Sequence, residues 1–536
     1  MAVNWTREQK QVIEGREKSL LVSAAAGSGK TAVLVERIIQ MITEGENPKD
    51  IDRLLVMTFT RAAAAEMRER IQAAIEKKLE SEPENEHLQQ QAVLVQFAQI
   101  TTIDSFCLHI MREHFDRLDI DPAFRVGDEG EMLLMRADVM DGLLEDYYRD
   151  GGKRYEEFVD AYATGKADGG IAEYVMQVYN FAQSNPWPDA WYEKCREELL
   201  LTEQGELEQT EWMQFLLRDI ALQAQEWKIQ LREAWEICQE TGGPMPYLPM
   251  IEEDLRHAEA VCGAAGSFET ISEALERFTF SRLAAIRGKN GEVDPEKKAL
   301  VSDCRSRVKK AVEKLKGEYL FASPEQMLAD MEAGKERILE LLELAQEFGR
   351  RFRAKKKEKN VVDFHDLEHF ALEILTEPES ECSEAEETSS AEENDQMQGK
   401  NAWTVRVPGT VADELAVQYD EILVDEYQDS NLVQETLIQC ISGERFDRPN
   451  VFMVGDVKQS IYKFRLARPE LFLEKYSTYT SEESAHQKIE LHQNFRSRDH
   501  ILESINAIFY RIMTEKLGNI SYTEDAALHP GAAFEE

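Results

Sequence analysis

Hydrophobic positions along the chain fall into two regimes. Before residue 120 and again after residue 360, apolar runs of strand length alternate with amphipathic stretches, while the segments between them are long, charged and helical in period. The first run, 20–26 (Leu-Leu-Val-Ser-Ala-Ala-Ala), passes through Gly-Ser-Gly-Lys-Thr (27–31) into a stretch where Leu34, Val35, Ile38, Ile39 and Ile42 share one face, which predicts a helix over 31–43. Residues 53–60 form a continuous apolar run suited to a parallel sheet buried on both faces, followed by an Ala-rich helix over 61–71. A third run, 98–103, ends in Thr101, Thr102, Asp104 and Ser105 and enters a helix over 106–114. The segment 421–430 returns to strand and ends in adjacent carboxylates, 451–455 is the next strand, and 489–491 leads into Gln493-Asn-Phe-Arg-Ser497. This alternation predicts an α/β fold with a parallel sheet, whose polar strand tips gather at the C-terminal edge, where ligands bind.

From about 124 to 349 the pattern is a helical insertion punctuated by Gly and Pro at 184–188, 242–246 and 288–291. Residues 327–352 place Leu328, Met331, Ile338, Leu341, Leu342, Leu344 and Phe348 at helical spacing, which reads as core packing. That helix ends in Arg350, Arg351, Arg353, Lys355, Lys356, Lys357 and Lys359, either a solvated helix end or a track for DNA phosphates. A second basic patch, 305–316, carries the same two readings. Residues 361–375 predict a helix with His365 and His369 four apart; no H-E-x-x-H pattern accompanies them, so they read as surface histidines rather than metal ligands. Residues 377–400, dense in Glu and Ser, read as a disordered acidic loop.

At 536 residues the chain is too long for a single core, and its apolar content supports about three to four domains. Its net charge of −41 lowers the expectation of a nucleic-acid partner but leaves room for a local cationic groove. Seven scattered cysteines with no C-x-x-C pair fit reduced thiols, and no apolar run is long enough for a membrane span or shaped like a signal peptide, so the cytoplasm is the expected compartment.

Candidate chemistry begins at 23–31. A strand, a glycine turn and a helix in that order form a phosphate cradle: Gly27 and Gly29 free the backbone, Lys30 adds a point charge and Thr31 a magnesium ligand, although Ala24 stands where the strict pattern wants glycine. Asp425 at a strand tip suits magnesium, and Glu426 suits the activation of water. Gln9 suits an adenine edge or, more simply, a helix start capped by Asn4 or Thr6, and Arg496 suits a γ-phosphate reached from a neighbouring domain.

The order and wording of 23–31, 101–107 (Thr-Thr-Ile-Asp-Ser-Phe-Cys), 424–430 (Val-Asp-Glu-Tyr-Gln-Asp-Ser), 455–472 and 494–497 resemble superfamily 1 DNA helicases of the UvrD/Rep type. They are closest to the AddA proteins of the RecBCD-like AddAB helicase–nucleases, which also commonly lack the first glycine. The resemblance implies a RecA-like P-loop NTPase sheet split as 1–120 and 356–470, a helical 1B-like insertion at 121–355, and the start of a second RecA-like domain at 471–536. It implies ATP and Mg²⁺ as cofactors. Gln9 and Phe495 would hold adenine, and Ser23, Ala24, Ala25, Ala26, Gly27, Ser28, Gly29, Lys30 and Thr31 the phosphates. Thr31 and Asp425 would serve the metal, Glu426 the water, Gln459 and Arg496 the γ-phosphate. Thr58, Phe59, Thr60, Thr102, Tyr462 and Phe464 would line a single-strand DNA track. The implied activity is 3′ to 5′ ATP-dependent translocation on DNA, in repair of double-strand ends, with an AddB-like heterodimer partner and no membrane. The later helicase motifs and the nuclease do not occur in these residues, so the chain reads as an N-terminal fragment that binds ATP without the full closing machinery. A stand-alone UvrD-like helicase and a non-motor ATP- and DNA-binding module are the alternatives.

Overall fold

The computed structural model describes residues 5–45, 47–163, 169–199, 208–264, 266–286, 293–321, 324–378, 406–514 and 520–532. The chain divides into two compact units, one made of Met1–Asp146, Ala172–Trp191 and Ala345–Glu536, the other of Tyr147–Ile171 and Tyr192–Leu344.

Six strands build the sheet of the first unit: β1 (Ser19–Ala24), β2 (Leu54–Thr58), β3 (Ile100–Thr102), β4 (Glu421–Val424), β5 (Val451–Gly455) and β6 (His486–Leu491). Every neighbouring pair is parallel, in the order β6-β1-β5-β4-β2-β3. Successive residues of each inner strand point into opposite cores. Leu20, Val22, Leu54, Val56, Leu423, Phe452 and Val454 face one; Leu21, Leu55, Met57, Ile422, Val424, Val451 and Met453 face the other. Because both faces are covered, the strands appear in sequence as uninterrupted apolar runs.

The preceding helix α1 (Arg7–Glu14), α2 (Lys30–Thr43) and α3 (Arg61–Ser81) pack on the first face, through residues such as Val12, Leu34, Ile38, Met67 and Ile71. On the second lie α4 (Ile103–Glu113), α5 (Phe364–Leu375) and α6 (Leu432–Ile441), through Phe106, Ile110, Leu367, Ala371, Leu437 and Ile441. Helix α3 continues past the expected 71 because Ile75 repeats the buried face.

Two expectations change. Residues 361–375 are not one helix: the β-branched pair Val361–Val362 forms a short parallel ladder with Arg125–Val126, and Asp363 then caps α5 by accepting the Asp366 N–H at 3.0 Å. Within the segment from 471 that is expected to open a second domain, residues 486–491 join the first sheet. The helix Pro469–Thr478 returns the chain to β6, which pairs with β1 over its whole length. Its alternating burial is that of an edge strand, which lowers its apolar signal in sequence.

The described residues of the second unit are helical, with no strand. Its core joins Leu217, Ile220, Trp227 and Leu231 of Glu211–Gln239 to Val261, Ile271, Leu275, Val308 and Val312 from three further helices. The acidic stretch 377–400 lies outside the described residues except for Glu377 and Pro378, in a short strand paired antiparallel with Arg406–Pro408. Among the described residues no helix is long and apolar enough to cross a membrane.

Candidate active site

The turn from β1 into α2 is built for an anion. Gly27 and Gly29 have φ of +75° and +83°, in the left-handed region that side chains disfavour. A Cβ on Gly27 would also come within 2.7 Å of Asn494 Nδ2. That close approach matters, because Asn494 Nδ2 donates to Ala26 O at 2.6 Å and Phe495 N donates to Gly27 O at 2.9 Å. The parallel register of Ala24 with Leu491 brings the two segments together, so the chain leaving β6 supports the loop. The Ser28 hydroxyl is buried without a partner among the described residues. Lys30 and Thr31 open α2, whose N-terminal N–H groups and dipole favour phosphate.

Opposite this turn, β4 runs directly into Asp425 and Glu426. Glu426 has φ +51° and ψ +43°, a strained conformation for a residue with a side chain. The reversal aims its carboxylate at Lys30, whose Nζ lies 3.0 and 3.2 Å from the two oxygens. Burial, with the neighbouring Glu426 charge adding to it, pushes the Asp425 carboxyl up to about 6. No ion pair reaches Asp425 among the described residues. A half-buried carboxylate with no ion pair of its own, opposed only by the nearby Lys30 charge, beside a phosphate cradle and a threonine on the first helical turn, fits a hard divalent cation such as Mg²⁺.

Next to the loop, a cavity of about 220 Å³ is lined by Gln9, Ser28, Gln493, Phe495 and His529 among others. Gln9 is buried and does two jobs at once. Its Oε1 accepts the Thr6 N–H at 2.9 Å in a capping box for α1, and its Nε2 donates to Ser28 O at 3.0 Å. A primary amide has two donors and two lone pairs, so one of each remains for a base edge. The Phe495 ring is backed by Gly531, which donates its N–H to Asn494 O at 2.9 Å.

Beyond the tips of β2 and β5, Phe59, Tyr462 and Phe464 make a ladder. Ring centroids are 4.8 Å apart between Phe59 and Tyr462 and 5.8 Å between Tyr462 and Phe464, with the Arg465 guanidinium 5.3 and 5.8 Å from the latter two rings. Phe464 is 76% exposed and Phe59 40%, unusual for large apolar side chains and typical of a stacking platform. Thr58, Thr60 and Thr102 are spent locally: Thr58 Oγ1 donates to Thr60 O, while Thr60 and Thr102 cap α3 and α4.

A family model described as the UvrD/REP helicase N-terminal domain matches residues 5–480. The chain belongs to this family. Among curated relatives, proteins whose names make them the A subunits of an ATP-dependent helicase/nuclease are 44% identical in Lachnoclostridium phytofermentans, 42% in Clostridium beijerinckii and 40% in Bacillus licheniformis. Each alignment covers 99% of this chain but only 37% to 41% of the relative, so the chain spans about two fifths of their length.

Within this UvrD/REP helicase domain, some expected residues meet and others do not. Arg496 comes from the same compact unit as the loop rather than from a second domain; its Cβ would lie 3.0 Å from a Cβ on Gly27, and its guanidinium is exposed. Gln459 Nε2 donates to Asp456 Oδ2 at 2.9 Å. The cationic cluster is largely neutralised: Arg350 and Arg351 bond Glu347, Arg351 also bonds Asp146, Lys355 pairs with Glu358, and Lys357 with Asp119. Lys356 is buried between Asp363 and Asp366, 3.0 and 2.6 Å away. In the other basic patch Arg305 is buried on Asp254 at 2.5 Å. His365 and His369 are half-buried rather than on the surface; His369 Nε2 meets Gln183 O at 3.0 Å, and burial lowers its pKa to about 4. Among the described residues no cluster of three metal-ligating side chains occurs. Sequence reasoning passed over Asn494, Gln428 and His529. The first two lie inside quoted motifs, each as an amide next to an aromatic residue, Phe495 and Tyr427, which is the available signal.

Proposed function

We propose that this chain is the ATP-hydrolysing motor portion of a 3′ to 5′ DNA helicase, within a helicase–nuclease that processes double-strand ends together with an AddB-like partner. The observation that carries the reading is the convergence, in one unit, of the Lys30–Glu426 pair, the base cavity between Gln9 and Phe495, and the exposed ladder Phe59–Tyr462–Phe464.

The chemistry follows from these side chains. Gln9 presents one donor and one acceptor to the adenine edge and Phe495 offers a face for it. The turn 25–29 and Lys30 take the phosphates. Thr31 and Asp425 would hold Mg²⁺, which when bound neutralises developing phosphate charge. Glu426 orients the attacking water and accepts its proton, and Arg496 stabilises charge on the departing γ-phosphate. Stacking on Phe59, Tyr462 and Phe464 accepts any base, which suits a motor indifferent to sequence. The acidic surface does not oppose this, since the ladder relies on rings more than on cations.

The test is ATP hydrolysis by the protein as its gene encodes it, with and without oligo-dT. Hydrolysis stimulated by the strand and abolished by Lys30→Ala is expected; activity that ignores DNA, or that survives Lys30→Ala, refutes the proposal. A strand-displacement assay on partial duplexes of either overhang polarity then tests direction.

A further inference from the structure

We infer that Gln428 is a positioning residue that ties the hydrolytic carboxylate Glu426 to the segment carrying Gln459 and the aromatic ladder. The inference rests on the reading of Glu426 as the group that orients water.

Gln428 sits in the one-turn helix Tyr427–Asp429 and is 1% exposed. Both ends of its amide are engaged. Nε2 donates to Glu426 Oε2 at 2.8 Å and to Asp429 Oδ2 at 3.3 Å, while Oε1 accepts the backbone N–H of Asp456 at 3.0 Å. Two carboxylates on one side and an N–H on the other demand a donor and an acceptor from one side chain, and only a primary amide of this length supplies both. The Gln428 backbone is also tied, its carbonyl accepting Ser460 Oγ at 3.4 Å.

The next residues extend the link. Asp456 is buried, and its carboxylate accepts Gln459 Nε2 at 2.9 Å and pairs with Lys458 Nζ at 3.0 Å. Three residues beyond Gln459 lies Tyr462, the middle ring of the ladder. One buried side chain therefore touches the hydrolytic carboxylate on one side and the strap leading to the rings on the other. Gly455 makes room for it: a Cβ there would come within 2.2 Å of Gln428 Oε1.

The consequence concerns what holds Glu426. Its carboxylate has two donors among the described residues, Lys30 and Gln428. The γ-phosphate of ATP competes for Lys30, because a doubly charged phosphate attracts the ammonium more strongly than one carboxylate does. Gln428 then keeps Glu426 aimed, and Gln428 itself is aimed by the Asp456 N–H. A shift of the 456–464 strap on strand binding reaches the water-orienting group through two hydrogen bonds of ordinary length.

The experiment uses the protein as its gene encodes it, with its partner chain if it has one, and compares Gln428→Glu, Gly455→Ala and Glu426→Gln. The measurements are kcat and KM for ATP at saturating oligo-dT, Kd for a fluorescent ATP analogue, and Tm. Gln428→Glu turns a donor into a charge facing Glu426 and Asp429. Gly455→Ala leaves Gln428 chemically intact but displaces its amide. Both are expected to lower kcat at least tenfold with KM and Kd within about threefold, and Gly455→Ala with Tm within about 3 °C. If Glu426→Gln abolishes hydrolysis but both other variants keep kcat within twofold, the role of Gln428 is refuted and that of Glu426 stands. If Kd and Tm worsen in step with kcat, Gln428 is only structural and the inference is likewise overturned. If Glu426→Gln leaves hydrolysis intact, the reading of Glu426 fails, and the inference with it.

Discussion

Glu368 offers a sharp test of the packing beneath the site. It projects from α5, is 5% exposed, and faces the first turn of α4 and the start of α6. Gln434 Nε2 donates to its Oε1 at 2.7 Å, and no cation reaches it among the described residues. Burial, and then the nearby Asp104 charge, push its carboxyl up to about 7, against the opposing hydrogen bonds from Gln434 and Asn431. A folded-state value above the unfolded one means that the folded protein binds the proton more tightly. The protein is then unpenalised below the unfolded value, about 4.5, and loses stability as pH rises through about 7. Each tenfold in proton affinity is worth about 1.4 kcal/mol, so the ionised group costs on the order of 3 kcal/mol at pH 8 and about half as much at pH 5.5. Glu368→Gln keeps the acceptor for Gln434 and removes the charge. Thermal unfolding from pH 5.5 to 8 is expected to show the variant more stable throughout, with its advantage growing by several degrees toward pH 8. A constant difference, or one that shrinks as pH rises, refutes the assignment of a protonated, uncompensated Glu368.

Three further predictions address the ring ladder and the basic cluster. Phe464→Ala and Phe59→Ala are each expected to weaken oligo-dT binding by anisotropy about 5- to 150-fold, the cost of about 1–3 kcal/mol per lost stacking partner, without changing Kd for an ATP analogue; unchanged DNA affinity removes the ladder from the track. Lys356→Ala removes the cation that Asp366 pairs with and leaves Asp363 with Arg136 at 3.5 Å, and is expected to cost on the order of 3 kcal/mol in unfolding experiments. Lys355→Ala and Lys357→Ala, which remove more exposed pairs, are expected to cost less than about 1 kcal/mol and to leave the salt dependence of DNA binding unchanged; a flattened slope would restore the phosphate-track reading.

What could be read in advance depended on whether the partners lay close together in sequence. The inner strands were legible because a parallel sheet covered on both faces needs apolar side chains at successive positions, as in Leu54–Thr58 and Val451–Gly455. The phosphate turn was legible because strand, glycines, lysine and helix are contiguous. The placement of β6 was not, because it is an edge strand whose pairing with β1 spans more than four hundred residues. The cluster at 350–359 leaves both a solvated helix end and a phosphate track open in sequence, because two of its partners, Asp119 and Asp146, are distant in the chain. Lys356 is the exception, since Asp363 and Asp366 lie only a few residues on; the break between the ladder at Val361–Val362 and the helix from Phe364, which turns both carboxylates toward it, has no signal in the apolar pattern.

The site itself was legible as a set of residues but not as a set of pairings. Lys30 and Glu426 are each named by their motifs, yet nothing in either motif says that the left-handed turn at Glu426 brings the two within 3.0 Å. That contact changes the chemistry expected of both. A lysine already paired must exchange its partner to meet a phosphate, and Glu426 is then left with the Gln428 amide as its donor. Under the proposed function, phosphate capture and the release of Glu426 become a single exchange of partners. Gln428 remains in place through that exchange, which is why a residue two positions beyond Glu426 in the Asp-Glu-Tyr-Gln-Asp sequence carries more of the mechanism than its position suggests.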